Sequence, residues 1–355
     1  MIYDRKRRRV STRGHLEQTR KSLQKYLKKP KEQVKWGMEG KLDNQGTFFD
    51  MALQQRGCAN KVLETIAREV DFREAEERVA STYKEGGRPG CRVGVLLRIM
   101  ILQHLYGLSD PQAEEQVKDR LSFQKFLGLG AEEGVPDETT ICRFRQRLIE
   151  CGLHEELLGL LNGQLESRGY FVKQTTLVDA TIVQSSRQRP ARCCEGADAD
   201  ASFTRVRGQT HYGYKAHVSA DGAHQLIRTA LISTAKVCEG HVLQQITPTD
   251  TAAVYADKGY DTKANRAWLK QHGIVDGILK KGARCIRLTA EDIQRNKQKG
   301  FVRRHIERVF AQMKQWQRYR RVRYLGLIKN QLELTLKAVA YNLKRFVKLL
   351  ELQPA

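Results

Sequence analysis

The chain has 355 residues, and 63 Lys and Arg against 40 Asp and Glu leave a formal charge of +23. A 40% hydrophobic share beside 29% charged residues is the composition of a globular chain with a sizeable core, which excludes wholesale disorder. The sequence has no run of about 18 apolar residues, and the opening MIYDRKRRRV lacks the apolar stretch of a secretory signal, so a soluble cytoplasmic protein with no membrane partner is expected.

The excess positive charge requires an anionic partner, and its placement narrows the choice. Residues 1–40 hold 13 basic against 4 acidic side chains and residues 301–350 hold 13 against 2, so two segments carry +9 and +11 of the +23. Charge gathered in blocks around a nearly balanced middle is the electrostatic footprint of a polyanion binder, with nucleic acid as first candidate. The run Arg5 to Arg9 reads equally well as a solvated arm. The eight cysteines (58, 91, 142, 151, 193, 194, 238 and 285) form no C-x-x-C pair, so neither a disulfide framework nor a zinc site is expected, and the thiols are read as reduced and mostly buried.

In chain order, a basic helix is predicted over Leu16–Lys28, followed by a linker through Gly37, Gly40, Asn44 and Gly46, with ordered structure from Phe48. Residues 60–84 read as helical up to the break at Gly86–Gly90. Val93–Leu108 is apolar on every side and is expected to be the centre of a helical bundle. Ser109 caps the next helix, with Pro111 in its first turn, and another starts at Asp137 and carries Arg143, Arg145 and Arg147 where a helix-turn-helix reader would present them. The same three arginines fit an ordinary solvent face.

After a helix over His154–Arg168 the period changes. Thr175–Val183 is a β-branched strand, and His211–Ser233 reads as two strands joined at Asp221 and Gly222. A short strand Ala252–Ala256, a helix Thr262–Gln271, a strand Ile274–Leu279 and a helical C-terminal region complete the order. The fold class is therefore α/β, preceded by an all-helical region. The division expected is 1–47 as basic arm and linker, 48–170 as a helical DNA-binding domain, and 171–355 as the catalytic domain with basic C-terminal helices.

Three acids stand out. Asp179 lies inside an apolar strand, where an unpaired charge costs several kcal/mol or is neutralised by a pKa shift. Asp257 closes VYAD before a KGYD turn, and Glu307 is one of only two acids in the +11 block. Arg303 and Glu307, like Arg304 and Arg308, are four residues apart on a helix, which puts cation and acid on one side. Taken singly, each acid also fits a turn, cap or salt-bridged helix residue.

The blocks TTLVDATIV, HYGYKAHVSAD, VYADKGY and RHIERVFAQMKQWQRYRRVRYLGL resemble the DDE-type insertion-sequence transposases of the branch grouped around insertion sequence five. RPGCRVGVLLRIMILQHLYGLSDPQAEEQVKDRLSFQKFLGL and VPDETTICRFRQRL resemble the helical N-terminal domain of the same proteins, so the likeness spans roughly residues 85 to 345. The resemblance implies a ribonuclease H-like catalytic domain in which Asp179, Asp257 and Glu307 hold two Mg²⁺ ions, with Mn²⁺ able to substitute, as hard oxygen ligands do in two-metal phosphoryl transfer.

It also implies double-stranded DNA as partner, both the inverted repeats and the target, and a homodimer on DNA within a bacterial or archaeal nucleoid. Arg303, Glu307 and Lys314 fit the family signature that places Tyr, Arg, Glu and Lys at fixed spacing, but the tyrosine position is Gly300. Arg303, Lys314, Arg304, Arg308 and Lys215 are the expected phosphate contacts, and Trp268 and Trp316 are candidates for stacking on a displaced base or for packing. A non-catalytic DNA-binding derivative and an RNA-strand or structure-selective nuclease are the competing readings.

Overall fold

The structure, a computed structural model, describes residues 60–83, 91–130, 133–187, 197–206, 208–282 and 287–352. The basic arm, the helix expected at Leu16–Lys28, the linker to Phe48, the Gly86–Gly90 break, Cys58, Cys193, Cys194 and Cys285 lie outside them.

Among the described residues seven helices precede the first strand: α1 (Lys61–Glu69), α2 (Arg73–Ala80), α3 (Val93–Tyr106), α4 (Asp110–Asp119), α5 (Leu121–Leu127), α6 (Glu138–Glu150) and α7 (Leu153–Ser167). The stretch read as helical over 60–84 holds two helices. Asn60 caps α1 through the Leu63 amide, and Val70 and Phe72 turn inward at the joint while Asp71 accepts from the Arg73 amide, which starts α2. Helix α3 buries residues on all its faces, as its composition predicts, and ends on left-handed Gly107. Ser109 and Gln112 close a capping box on α4, and Asp137 caps α6 through the Thr140 amide.

The sheet contains β1 (Thr175–Gln184), β2 (Ser202–Val206), β3 (Gln209–Asp221), β4 (Ile227–Thr234), β5 (Ala253–Ala256) and β6 (Val275–Asp276). β1 lies at its centre, antiparallel to β3 and parallel to β5, and β6 continues parallel beyond β5. The far edge of β3 is shared, with β2 pairing its first five residues and β4 the remainder. β2 is an addition to the predicted order, since its polar SFTRV carries no apolar alternation. The strand expected at Ile274–Leu279 pairs as a ladder only at Val275–Asp276, although the Gly277 and Leu279 amides still donate to Val254 and Ala256 of β5.

Helices cover both faces of the sheet. Short α8 (Leu243–Ile246) and α9 (Lys263–Gln271) enclose a small core with Val178, Val254 and Ala256. On the other face lie α10 (Ala290–Arg303), α11 (His305–Trp316) and α12 (Leu327–Leu352), with α11 and α12 feeding the main core. α12 is the spine: it packs on α1, α3, α7 and β4, so one apolar core runs from the helical region into the sheet. Its buried Glu333 and Lys337 are paired at 3.5 Å, and the Lys337 ammonium also donates to the Gln317 carbonyl at 2.8 Å. Of the described cysteines, Cys142, Cys151 and Cys238 are exposed and only Cys91 is half-buried, so the expectation of buried thiols is corrected: Cys142 lies on the solvent face of amphipathic α6, and Cys151 and Cys238 sit at element ends.

Candidate active site

The register of β1 against β5 sets the geometry. Val178 pairs with Ala256 in the parallel ladder, and the next residue of each strand is an aspartate, so Asp179 and Asp257 emerge side by side where β5 ends. Because side chains alternate, Val178 fills the smaller core while Leu177 and Val183 join Ile306 and Val309 of α11 in the main one. Asp179 therefore points to the α11 side.

There Asp179 Oδ1 accepts the Ala180 amide at 2.8 Å and Oδ2 accepts Nη1 of Arg303 at 2.8 Å. The second guanidinium nitrogen of Arg303 donates to Glu307 Oε1 at 3.2 Å, so one cation joins the strand acid to the helix acid. Burial pushes the Asp179 carboxyl up to about 6; Arg303 and the Ala180 amide oppose this, and the negative charges of Asp257 and Glu239 add to it. Glu307 occupies the first turn of α11 with 63% of its side chain exposed, just past the joint at Arg304 that separates α10 from α11.

Among the described residues no three Asp, Glu, His or Cys side chains stand close enough together to hold a metal ion as they are, and the Arg303 guanidinium occupies the space between Asp179 and Glu307. The donor chemistry nevertheless fits a divalent cation. The oxygens are hard carboxylates, and Asp179 is held in a site that disfavours its charge.

The expected phosphate contacts fall into three groups. Arg303 and half-buried Lys314 face the acids: burial lowers the Lys314 pKa, helped by Arg320 and opposed by Asp179. Arg304 and Arg308 are exposed on the outside of the joint, and the Arg304 guanidinium lies 4.0 Å over the Phe301 ring. Lys215 points inward, with its ammonium 3.1 Å from the Val237 carbonyl and 3.3 Å from Glu239.

The three arginines of α6 belong to the helical layer, not to the carboxylate cluster. Arg145 is buried, forms a bidentate pair with Asp110 and lies over the Tyr324 ring, and Arg147 covers Tyr83, which leaves Arg143 exposed. Trp268 stacks on His272 beside the smaller core, and Trp316 is partly exposed beneath the Lys344 ammonium. Sequence reasoning did not single out Glu239, whose negative charge adds to the rise of the Asp179 pKa, and nothing local marks it.

Two family models match this chain: one described as "Transposase domain (DUF772)" over residues 51–147, the other as "Transposase DDE domain" over residues 170–343. The second match implies a ribonuclease H-like fold, with which the mixed sheet centred on β1 agrees. A chain of the solved structure titled "Crystal structure of a pre-cleavage Mos1 transpososome" is similar at 10% identity, covering 86% of this chain and 92% of that one with a TM-score of 0.18, a likeness too low to carry any conclusion.

Proposed function

Because this chain belongs to the DDE transposases, enzymes of metal-dependent DNA cleavage and strand transfer, we propose that it acts on an insertion sequence of the insertion-sequence-five branch. It binds the inverted repeats, cleaves at the element's ends and joins the freed 3′-hydroxyl to target DNA. The observation that carries this reading is the parallel register that sets Asp179 beside Asp257, with Arg303 donating both to Asp179 and to Glu307 of the next helix.

Asp179, Asp257 and Glu307 would hold two divalent ions, Mg²⁺ with Mn²⁺ as substitute, and ions bound there would supply activation of the attacking oxygen and stabilisation of the leaving one. In hydrolysis a water oxygen bonds to phosphorus, the P–O3′ bond breaks and the oxygen leaves as the 3′-hydroxyl. In joining, that hydroxyl bonds to a target phosphorus and a target 3′-oxygen leaves. Arg303 and Lys314 grip phosphates flanking the scissile bond and hold it in line, and once DNA engages Arg303 the Asp179–Glu307 bridge opens.

Helices α1–α7 and the basic arm contribute the remaining DNA contacts, with Arg143 the exposed arginine of α6. The chain works as a homodimer spanning two ends in a bacterial or archaeal nucleoid. The test is cleavage of duplexes bearing the element's own inverted repeats in Mg²⁺ or EDTA. Asp179→Ala is expected to bind ends as the wild type does and to cut none of them. A wild type that binds but never cuts supports a DNA-binding derivative instead, and a variant that still cuts refutes the assignment.

A further inference from the structure

The connection from α11 to α12 reads QRYRRVRYLG, and its arginines have two different surroundings. Arg323 ties the connection down: it donates to the Leu108 carbonyl of the helical region and pairs with Glu333 at 3.7 Å. Arg318, Arg320 and Arg321 are exposed, and among the described residues none of them has an acidic partner or a side-chain hydrogen bond. The backbone that carries them is fixed. Tyr319 and Val322 are buried, and on either side of Arg321 the chain bonds to the end of β1, the Gln184 amide donating to the Arg320 carbonyl at 3.0 Å and the Gln184 carbonyl accepting from the Val322 amide at 2.9 Å. Arg318 takes the left-handed position after α11 with φ of 54°, where glycine would sit with less strain, and its stem lies beside Gly107, the cap of α3. Three guanidiniums held close together on a rigid loop repel one another until an anion joins them.

Their placement defines the anion. Arg318 and Arg321 line an open cleft of about 710 Å³ whose other wall is formed by the first turns of α4 and α6, through Ser109, Pro111, Glu138 and Cys142. Of the acids there, Asp110 is already held by both nitrogens of the Arg145 fork, which leaves Glu138. Arg320 serves the other side of the loop, where it adds to the lowering of the Lys314 pKa that burial begins and Asp179 opposes. Positive groups therefore continue from the carboxylates to the cleft. Asp179 and Gln184 are five residues apart on β1, about 17 Å at about 3.3 Å per residue, which matches the rise of about five base pairs. One duplex is long enough to engage both places.

We propose that this cleft seats the sugar-phosphate backbone of double-stranded DNA, with Arg318 and Arg321 on its phosphates and Arg320 on a phosphate between the cleft and Lys314. The proposal rests on the transposase reading above and adds to it a contact surface that joins the carboxylates to the helical region. Backbone contacts position a duplex without reading its sequence, so the cleft fixes where the scissile bond falls and leaves recognition of the end to other residues.

The experiment uses the full chain carrying Asp179→Ala, in EDTA, with a duplex of about 40 base pairs bearing the element's inverted repeat. Exposed Cys142 reports from the cleft, and exposed Cys151, at the far end of the same helix, is the reference. Alkylation by N-ethylmaleimide, read by peptide mass spectrometry, is expected to slow at Cys142 relative to Cys151 by about fivefold or more when the duplex is bound. Adding Arg318→Gln and Arg321→Gln is expected to weaken binding, followed by fluorescence anisotropy, by about 10-fold or more and to make the log K against log salt slope shallower by about 2, at about 0.9 per phosphate. Should the double variant fail to fold, the alkylation ratio decides alone. A Cys142 to Cys151 ratio unchanged by bound duplex, or a folded double variant with the parent's affinity and slope, overturns this inference and leaves the transposase reading standing. A chain that neither binds the duplex nor, as wild type, cuts it in Mg²⁺ overturns both.

Discussion

Asp179→Asn should make the protein more stable at neutral pH while removing its cleavage. In an unfolded chain the carboxyl titrates at its ordinary 3.8, whereas in the fold burial pushes it up to about 6. Between these values the folded state keeps a proton that the unfolded state has released, so stability falls as pH rises through the window and stays lower above it. A shift of about 2 units at about 1.4 kcal/mol per unit is a cost of about 3 kcal/mol above pH ~6 and none below pH ~4.

Asparagine removes the charge but keeps an acceptor for the Ala180 amide. The gain is trimmed because Arg303 loses a charged partner, leaving about 1–3 kcal/mol at pH ~7.5. Urea and thermal unfolding followed by circular dichroism in EDTA, at steps from pH ~4 to ~8, test this. The two proteins should match at the acid end and diverge as pH rises, with the variant melting several degrees higher near neutrality. Added Mg²⁺ should raise the wild type and leave the variant unmoved. A variant less stable at pH ~7.5, or a difference independent of pH, would refute the account of Asp179 as a group held against its preferred charge.

Glu307→Gln, on a largely exposed side chain, should leave stability within about 0.5 kcal/mol while cleavage of inverted-repeat duplexes falls to background; a stability loss without an activity loss would assign Glu307 to the fold. Glu333→Ala strands the buried Lys337 ammonium and should cost about 3–5 kcal/mol in denaturant unfolding. Partial relief is expected as pH rises, because burial already lowers the Lys337 pKa, loss of Glu333 removes the contribution that opposes this, and the neutral amine tolerates its surroundings. Deleting residues 1–10 removes Arg5, Lys6, Arg7, Arg8 and Arg9 and should make the log K against log salt slope for end binding shallower by up to about 4; an unchanged slope would mean this basic run makes no phosphate contacts.

Much of the architecture was written in local patterns. The apolar run of α3, the capping residues Ser109, Asp137 and Thr262, and the β-branched TTLVDATIV each act within a few residues, and each lies where its period and chemistry predict. The errors came where neighbours in space override the pattern. Polar β2 pairs because the edge of β3 is free to receive it, and Arg145, read as a base-reading or solvent-facing cation, is buried because Asp110 and Tyr324 receive it.

The acids divide along the same line. Sequence alone marked Asp179 as an anomaly in an apolar strand and Glu307 as an anomaly in a basic block, because a charge in the wrong company is visible without coordinates. That Asp179 stands next to Asp257 was decided by the β1–β5 register, and that Arg303 lies between Asp179 and Glu307 by the packing of α11 on β1. Local chemistry fixes the conformation each segment prefers, but the meeting of side chains dozens of residues apart depends on register and backbone clearance, which arise when the elements pack.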